Sequence, residues 1–216
     1  MLKSLCLAVT LALAGPAVAQ TDLPGNLKIE PALYDVVGVS ASDRLNVRTG
    51  PGAKFRRVGS FAHNQINIEV VATTADGRWG MVNTDGTNGW ASMRFLARAG
   101  APADPLPDPL SCYGTEPFWS VTFTGGEAVA DWSPMGLSDG PVTYPRYWSA
   151  LPSNRGNTAV AIQLPRADDA IRAVGFVRMA LCSDGMSDQS FGYMIDLILS
   201  GDGRQVVSGC CSVSLN

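Results

Sequence analysis

Three carboxylates carry the first suggestion of chemistry. The stretch CSDGMSDQSFG, residues 182–192, sets Asp184 and Asp188 four positions apart, and CYGTEPFW, residues 112–119, adds Glu116. Neighbouring carboxylates can pass protons or hold a cation. The same residues also read as turn formers. Ser183-Asp184-Gly185 and Ser187-Asp188 offer short polar side chains that bond nearby backbone amides. The spacing of a calcium loop is absent, and the turn reading is the favoured one. Ser187 and Ser190 lack the glycine frame of an exposed nucleophile. His63 is the single histidine and is remote from these segments in sequence, so it is read as a loop residue rather than a base.

A second group is basic. In RLNVRTGPG, residues 44–52, Arg44 and Arg48 flank a strand-like run that ends in Gly50-Pro51-Gly52, and Lys54, Arg56 and Arg57 follow. Guanidinium groups pair with carboxylates through two parallel hydrogen bonds. Trp79 can supply an apolar platform beside them. Arg44, Arg48, Arg56 and Trp79 are therefore candidate ligand contacts. The competing reading is a set of solvated charges, each contributing under about 1 kcal/mol. Proline presets φ and glycine tolerates unusual dihedrals, so the turn itself follows from architecture. Trp90 is expected in the core.

Cysteine is the third group. Cys6 lies in an N-terminal apolar run, which leaves Cys112, Cys182, Cys210 and Cys211. Four cysteines in an oxidising compartment read as two disulfides with three possible connectivities. A bond between Cys210 and Cys211 is disfavoured. Adjacent Cα atoms are about 3.8 Å apart, below the usual disulfide span of about 4.4–6.8 Å. On one strand their side chains point to opposite faces, so each needs a different partner. No Cys-x-x-Cys pair supports a metal site. No nucleotide-binding glycine fingerprint occurs either, so no cofactor or metal is expected.

The elements that must hold these residues follow from pattern. Residues 1–19 read as a secretory signal: Lys3, an apolar run, then Ala17-Val18-Ala19 before Gln20. The mature protein is expected to be exported, periplasmic or extracellular, with no membrane insertion. Residues 20–32 read as a loose leader. The four prolines of AGAPADPLPDPL, residues 99–110, read as a semi-rigid spacer. It separates residues 33–98 from residues 111–216. The first of these carries eight basic and five acidic residues, and the second six basic and ten acidic. Neither is basic enough for a nucleic-acid binder. Runs at 66–72, 79–83, 121–123 and 193–199 read as strands. The pairs Asp76-Gly77, Asp85-Gly86, Gly125-Gly126 and Asp202-Gly203 read as hairpin turns. Residues 170–181 fit a strand better than a helix. The expected fold class is all-β: a small barrel followed by a second antiparallel barrel or sandwich braced by two disulfides. Phe118 and Trp119 are expected to start a core strand.

Two resemblances add to this reading. Leu45–Gly52, Trp79–Val82, Gly89-Trp90-Ala91 and Phe95-Leu96 fall in the order of the motifs of bacterial Src-homology-3-like (SH3b) domains, and residues 33–98 resemble that family. Ala62-His63-Asn64 departs from its pattern. The resemblance implies an SH3-like barrel that docks on peptidoglycan or on a periplasmic protein. The segments GTEPFW, CSDGMSD and the closing GC resemble an uncharacterised family of bacterial envelope proteins. That resemblance implies a bond between Cys182 and Cys210, which leaves Cys112 to Cys211. It supplies no mechanism. The expected function is a non-enzymatic binding protein of the cell envelope, its two modules held apart by the spacer. The alternatives are an inhibitor or regulator of a cell-wall-active enzyme, and a cell-wall hydrolase using the carboxylates near Asp184.

Overall fold

The computed structural model describes residues 26–100, 106–153, 159–164, 171–200 and 204–213. Among them the chain forms sixteen strands in two antiparallel sheets, with no α-helix. The expected all-β class with two disulfides is what the chain adopts. The signal segment and the Asp202-Gly203 turn lie outside the described residues.

The first sheet contains β1 (Ala32–Val36), β2 (Arg44–Arg48), β3 (Arg57–Ala62), β4 (Ile68–Thr73), β5 (Trp79–Thr84), β6 (Thr87–Ser92) and β7 (Leu96–Arg98), in the order β3-β2-β6-β5-β4-β1-β7. Alternation in β2 sends Leu45 and Val47 into the core, where they meet Val36, Ile68, Val70 and Val82. The turn after β2 wraps an aromatic ring. A side chain at Gly50 would collide with the ring of Phe55, 2.7 Å from its nearest carbon. Arg48 Nη1 donates to the Phe55 carbonyl at 2.8 Å, and Thr49 N–H donates to the Arg56 carbonyl at 2.9 Å. The turn is a braced corner.

Strand β4 is buried from Ile68 to Ala72. Ile68 and Val70 face the small core. Val71 and Ala72 join Met81 and Trp90 in a second cluster on the other face, against which Leu27, Ile29 and Leu181 pack. A strand covered on both faces reads as a continuous apolar run, and Glu69 is the one charged residue within it.

The second sheet contains β8 (Leu110–Thr115), β9 (Phe118–Thr124), β10 (Glu127–Asp131), β11 (Pro141–Tyr144), β12 (Trp148–Ala150), β13 (Ala159–Leu164), β14 (Arg172–Cys182), β15 (Phe191–Ser200) and β16 (Arg204–Ser212), in the order β11-β10-β9-β8-β16-β15-β14-β13-β12. The last strand pairs beside the first, which brings Cys211 opposite Cys112. The sheet curls around one large core. Within that core the hydroxyl of Tyr144, on edge strand β11, accepts from Trp132 Nε1 at 3.1 Å and donates to the Ile171 carbonyl at 2.6 Å. Cys112 bonds Cys211, and Cys182 bonds Cys210. Cys211 belongs to the large core, whereas Cys210 packs with Phe191 and Tyr113, so the adjacent cysteines do face opposite ways.

The structure revises several expectations. Residues 26–32 are not a loose leader: Lys28 exchanges backbone hydrogen bonds with Thr73 of β4, both at 2.9 Å. The end of the proline-rich stretch belongs to the second sheet. Leu106 and Leu110 are buried in its core, and the Asp108 carboxylate accepts the Gly125 N–H at 2.9 Å. Proline removes pairing capacity there but leaves the leucines free to be buried. The sheets are not held apart, since they pack directly on one another. Of the pair expected to start a core strand, Trp119 is buried and Phe118 is exposed.

Candidate functional site

The segment 182–192 is the hook that joins the sheets. Asp184 organises it. Its Oδ1 accepts the N–H groups of Met186 at 3.0 Å and Ser187 at 2.9 Å, and its Oδ2 accepts the Tyr113 hydroxyl at 3.2 Å. The Thr115 hydroxyl donates to the Asp184 carbonyl at 2.9 Å. The shaped turn then delivers its far end to the first sheet. Asn88 N–H donates to the Asp188 carbonyl at 2.9 Å. Asn83 Nδ2 donates to the Ser190 carbonyl at 2.8 Å, and Ser190 N–H returns a bond to Asn83 Oδ1 at 3.1 Å. Asn88 Nδ2 meets the Ser190 hydroxyl at 2.9 Å. Beyond it, a Cβ on Gly192 would strike Pro31 and crowd the Val71 carbonyl oxygen. Glycine is required there because the Pro31 ring packs directly on the β15 backbone.

This junction leaves a cleft of about 550 Å³ between the sheets. The first sheet and its loops contribute Phe61, Gln65, Asn67, Ile68, Glu69 and Asn83. The second contributes Ser111, Tyr113, Thr122, Gln189, Phe191 and Ser212. Pairing of β16 with β8 sets Ser212 opposite Ser111, and pairing of β8 with β9 sets Ser111 opposite Thr122, so three hydroxyls lie in one cross-strand row. Tyr113 and Phe191 meet edge to face at 5.5 Å. The Cys182–Cys210 bridge packs against this aromatic pair.

Glu69 is the charged group of the cleft. Only 8 % of it is exposed. The Ser212 hydroxyl donates to its Oε2 and the Val213 N–H to its Oε1. Burial pushes its pKa above the ordinary carboxyl value, and those two hydrogen bonds offset the rise only in part. Its charge is felt by two tyrosines. Burial raises Tyr113 well above the usual phenol value, with the charge and hydrogen bond of Asp184 and the charge of Glu69 adding to it. Tyr193 is pushed up to about 12 by burial and then by Glu69, with Arg98 opposing. Asp184 behaves in the opposite sense. Burial raises its pKa, but the hydrogen bonds from Ser187, Met186 and Tyr113 outweigh that and hold it low.

The residues singled out in the sequence are dispersed. Arg44 binds the Ser60 hydroxyl at 2.8 Å and the Ser60 carbonyl at 3.1 Å, while Arg48 braces the corner. Arg56 is exposed beside that corner. Trp79 packs at the margin of the Val71–Trp90 cluster, and β6 separates its strand from β2. Glu116 is exposed in the turn between β8 and β9. Asp184 and Asp188 share the hook, one through its carboxylate and the other through its carbonyl. His63 lies in the turn after β3. Among the described residues, no three His, Cys, Asp or Glu side chains gather as a metal site. Reading the sequence missed Glu69, Ser212, Gln189 and the docking asparagines. One signal was available: Glu69 interrupts the apolar run of IEVVA, and a carboxylate in a strand buried on both faces requires polar partners.

No family model, curated protein or solved structure matches the chain. Both disulfides suit an oxidising environment, and no helix among the described residues is long and apolar enough to cross a membrane.

Proposed function

We propose that this chain is an exported, non-enzymatic binding protein of the cell envelope, and that its ligand seats in the cleft between the two sheets. The cleft carries the reading. It has the volume of a small-molecule site, and most of its wall is polar. Its walls are braced by a disulfide, a carboxylate-organised turn and a reciprocal asparagine clamp, so they are set before any ligand arrives. A hydrolytic role for Asp184 fits less well, because its carboxylate is engaged by its own turn and by Tyr113. The resemblance of residues 33–98 to SH3b domains points to the wall, or a protein bound to it, as the target. Here the SH3b-like part contributes one wall of the cleft rather than its arginine corner.

The test is retention of the whole mature protein on purified sacculi. Wild type is retained, and Gln189→Trp, which fills the cleft, is released while its thermal melt is unchanged. Arg48→Ala stays bound. Equal retention of wild type and Gln189→Trp would take the cleft out of the reading, and no retention of either would take the wall out.

A further inference from the structure

The chemistry of the cleft narrows the ligand class, given that the cleft is the binding site. Among the described residues no lysine, arginine or histidine lines it, and Glu69 is the one carboxyl that does. An anionic ligand would find no countercharge and would face a buried carboxyl. What the walls offer is neutral and two-sided in hydrogen bonding. The side-chain amides of Gln65, Asn67 and Gln189 have no hydrogen-bond partner among the described residues. Each presents a carbonyl acceptor and two N–H donors. The hydroxyls of Ser111 and Thr122 lie 3.3 Å apart and hold one another loosely. Apolar surface comes from Phe61, Phe191 and the Tyr113 ring.

A ligand that uses all of this carries many groups that both donate and accept, has no net charge, and has C–H faces to lay on rings. We infer that the cleft binds an uncharged saccharide segment. Its hydroxyl and acetamido groups would meet the three free amides, and Glu69 would accept one hydroxyl at the base in either protonation state.

The experiment titrates chitotriose, an uncharged trimer of N-acetylglucosamine, into the whole mature protein by calorimetry. A free stem tetrapeptide bearing carboxylates is the comparator. Chitotriose should bind with little change as salt is raised. The double variant Gln65→Ala/Gln189→Ala removes two side chains that make no hydrogen bond among the described residues and should fold as wild type, and it should weaken binding about tenfold or more. Absence of chitotriose binding, with cleft-dependent retention on sacculi intact, overturns the saccharide assignment and leaves the binding reading standing. Loss of both overturns both. Salt-sensitive binding of the tetrapeptide that the double variant abolishes also overturns the assignment, in favour of an anionic peptide.

Discussion

Glu69, in the middle of the first sheet, and Ser212, on the last strand of the second, are joined by a hydrogen bond across 143 residues of chain. The bond places a titratable group inside the contact between the sheets. Folding there takes a carboxyl out of water and gives it two donors, which is less than full compensation for a charge.

A pH dependence follows with a defined sign. The folded-state pKa of Glu69 lies above its ordinary value of 4.5. Its contribution to stability is therefore complete below pH 4.5 and is lost as pH rises through the folded pKa. Glu69→Gln removes that loss. Asp76, Asp131 and Asp184 are held low by their hydrogen bonds, titrate in both proteins, and cancel in the comparison. Urea midpoints of the two proteins should diverge in favour of the variant as pH rises from 4.5 toward 8. A constant difference across that range would mean that Glu69 stays ionised in the fold.

The clamp between Asn83 and Ser190 makes a second prediction. Asn83→Ala leaves both the N–H and the carbonyl of Ser190 without their partner. The site is half-buried, so the loss should be about 1–2 kcal/mol. Amide exchange at Ser190 should quicken more than at Val121 in the large core. Unchanged exchange at Ser190 would show that Asn88 and Gly192 hold the sheets together without the clamp.

Asp184 offers a third. Asp184→Ala removes the acceptor for Met186, Ser187 and Tyr113 and should destabilise the protein by about 1 kcal/mol. Its folded pKa is depressed, so the stabilisation is present above the ordinary value of 3.8 and fades as pH falls through the folded pKa. The gap between wild type and variant should narrow in acid. A variant as stable as wild type at pH 7 would deny Asp184 its role in shaping the hook.

The features legible in the sequence were those fixed over short distances. Alternation around Leu45 and Val47, the apolar run at 193–199 and the glycine turn pairs each report a local periodicity or a local φ. They recovered the all-β class and the strand content. The site was not local. Glu69 becomes important only because Ser212 and Val213 arrive beside it from the far end of the chain. Leu106 looked like spacer because prolines surround it, yet its burial depends on a core assembled afterwards. Asp184 was visible as a turn former, but the surface its turn docks on was not.

The hydroxyl of Tyr144 supports the last prediction. It lies in the large core, with 1 % of the residue exposed. There it donates to the Ile171 carbonyl and accepts from Trp132 Nε1. The phenol pKa is raised, chiefly by burial, so the proton needed for the bond to Ile171 stays in place at any ordinary pH. Tyr144→Phe keeps the ring and its packing but leaves one buried acceptor and one buried donor unpaired. Each unpaired group costs about 1–3 kcal/mol, so the variant should lose about 2–6 kcal/mol. The urea midpoint should fall with the slope unchanged, because the surface exposed on unfolding is the same. A loss below about 0.5 kcal/mol, within the range of a neutral surface change, would mean that the curled sheet holds its edge strand by packing alone.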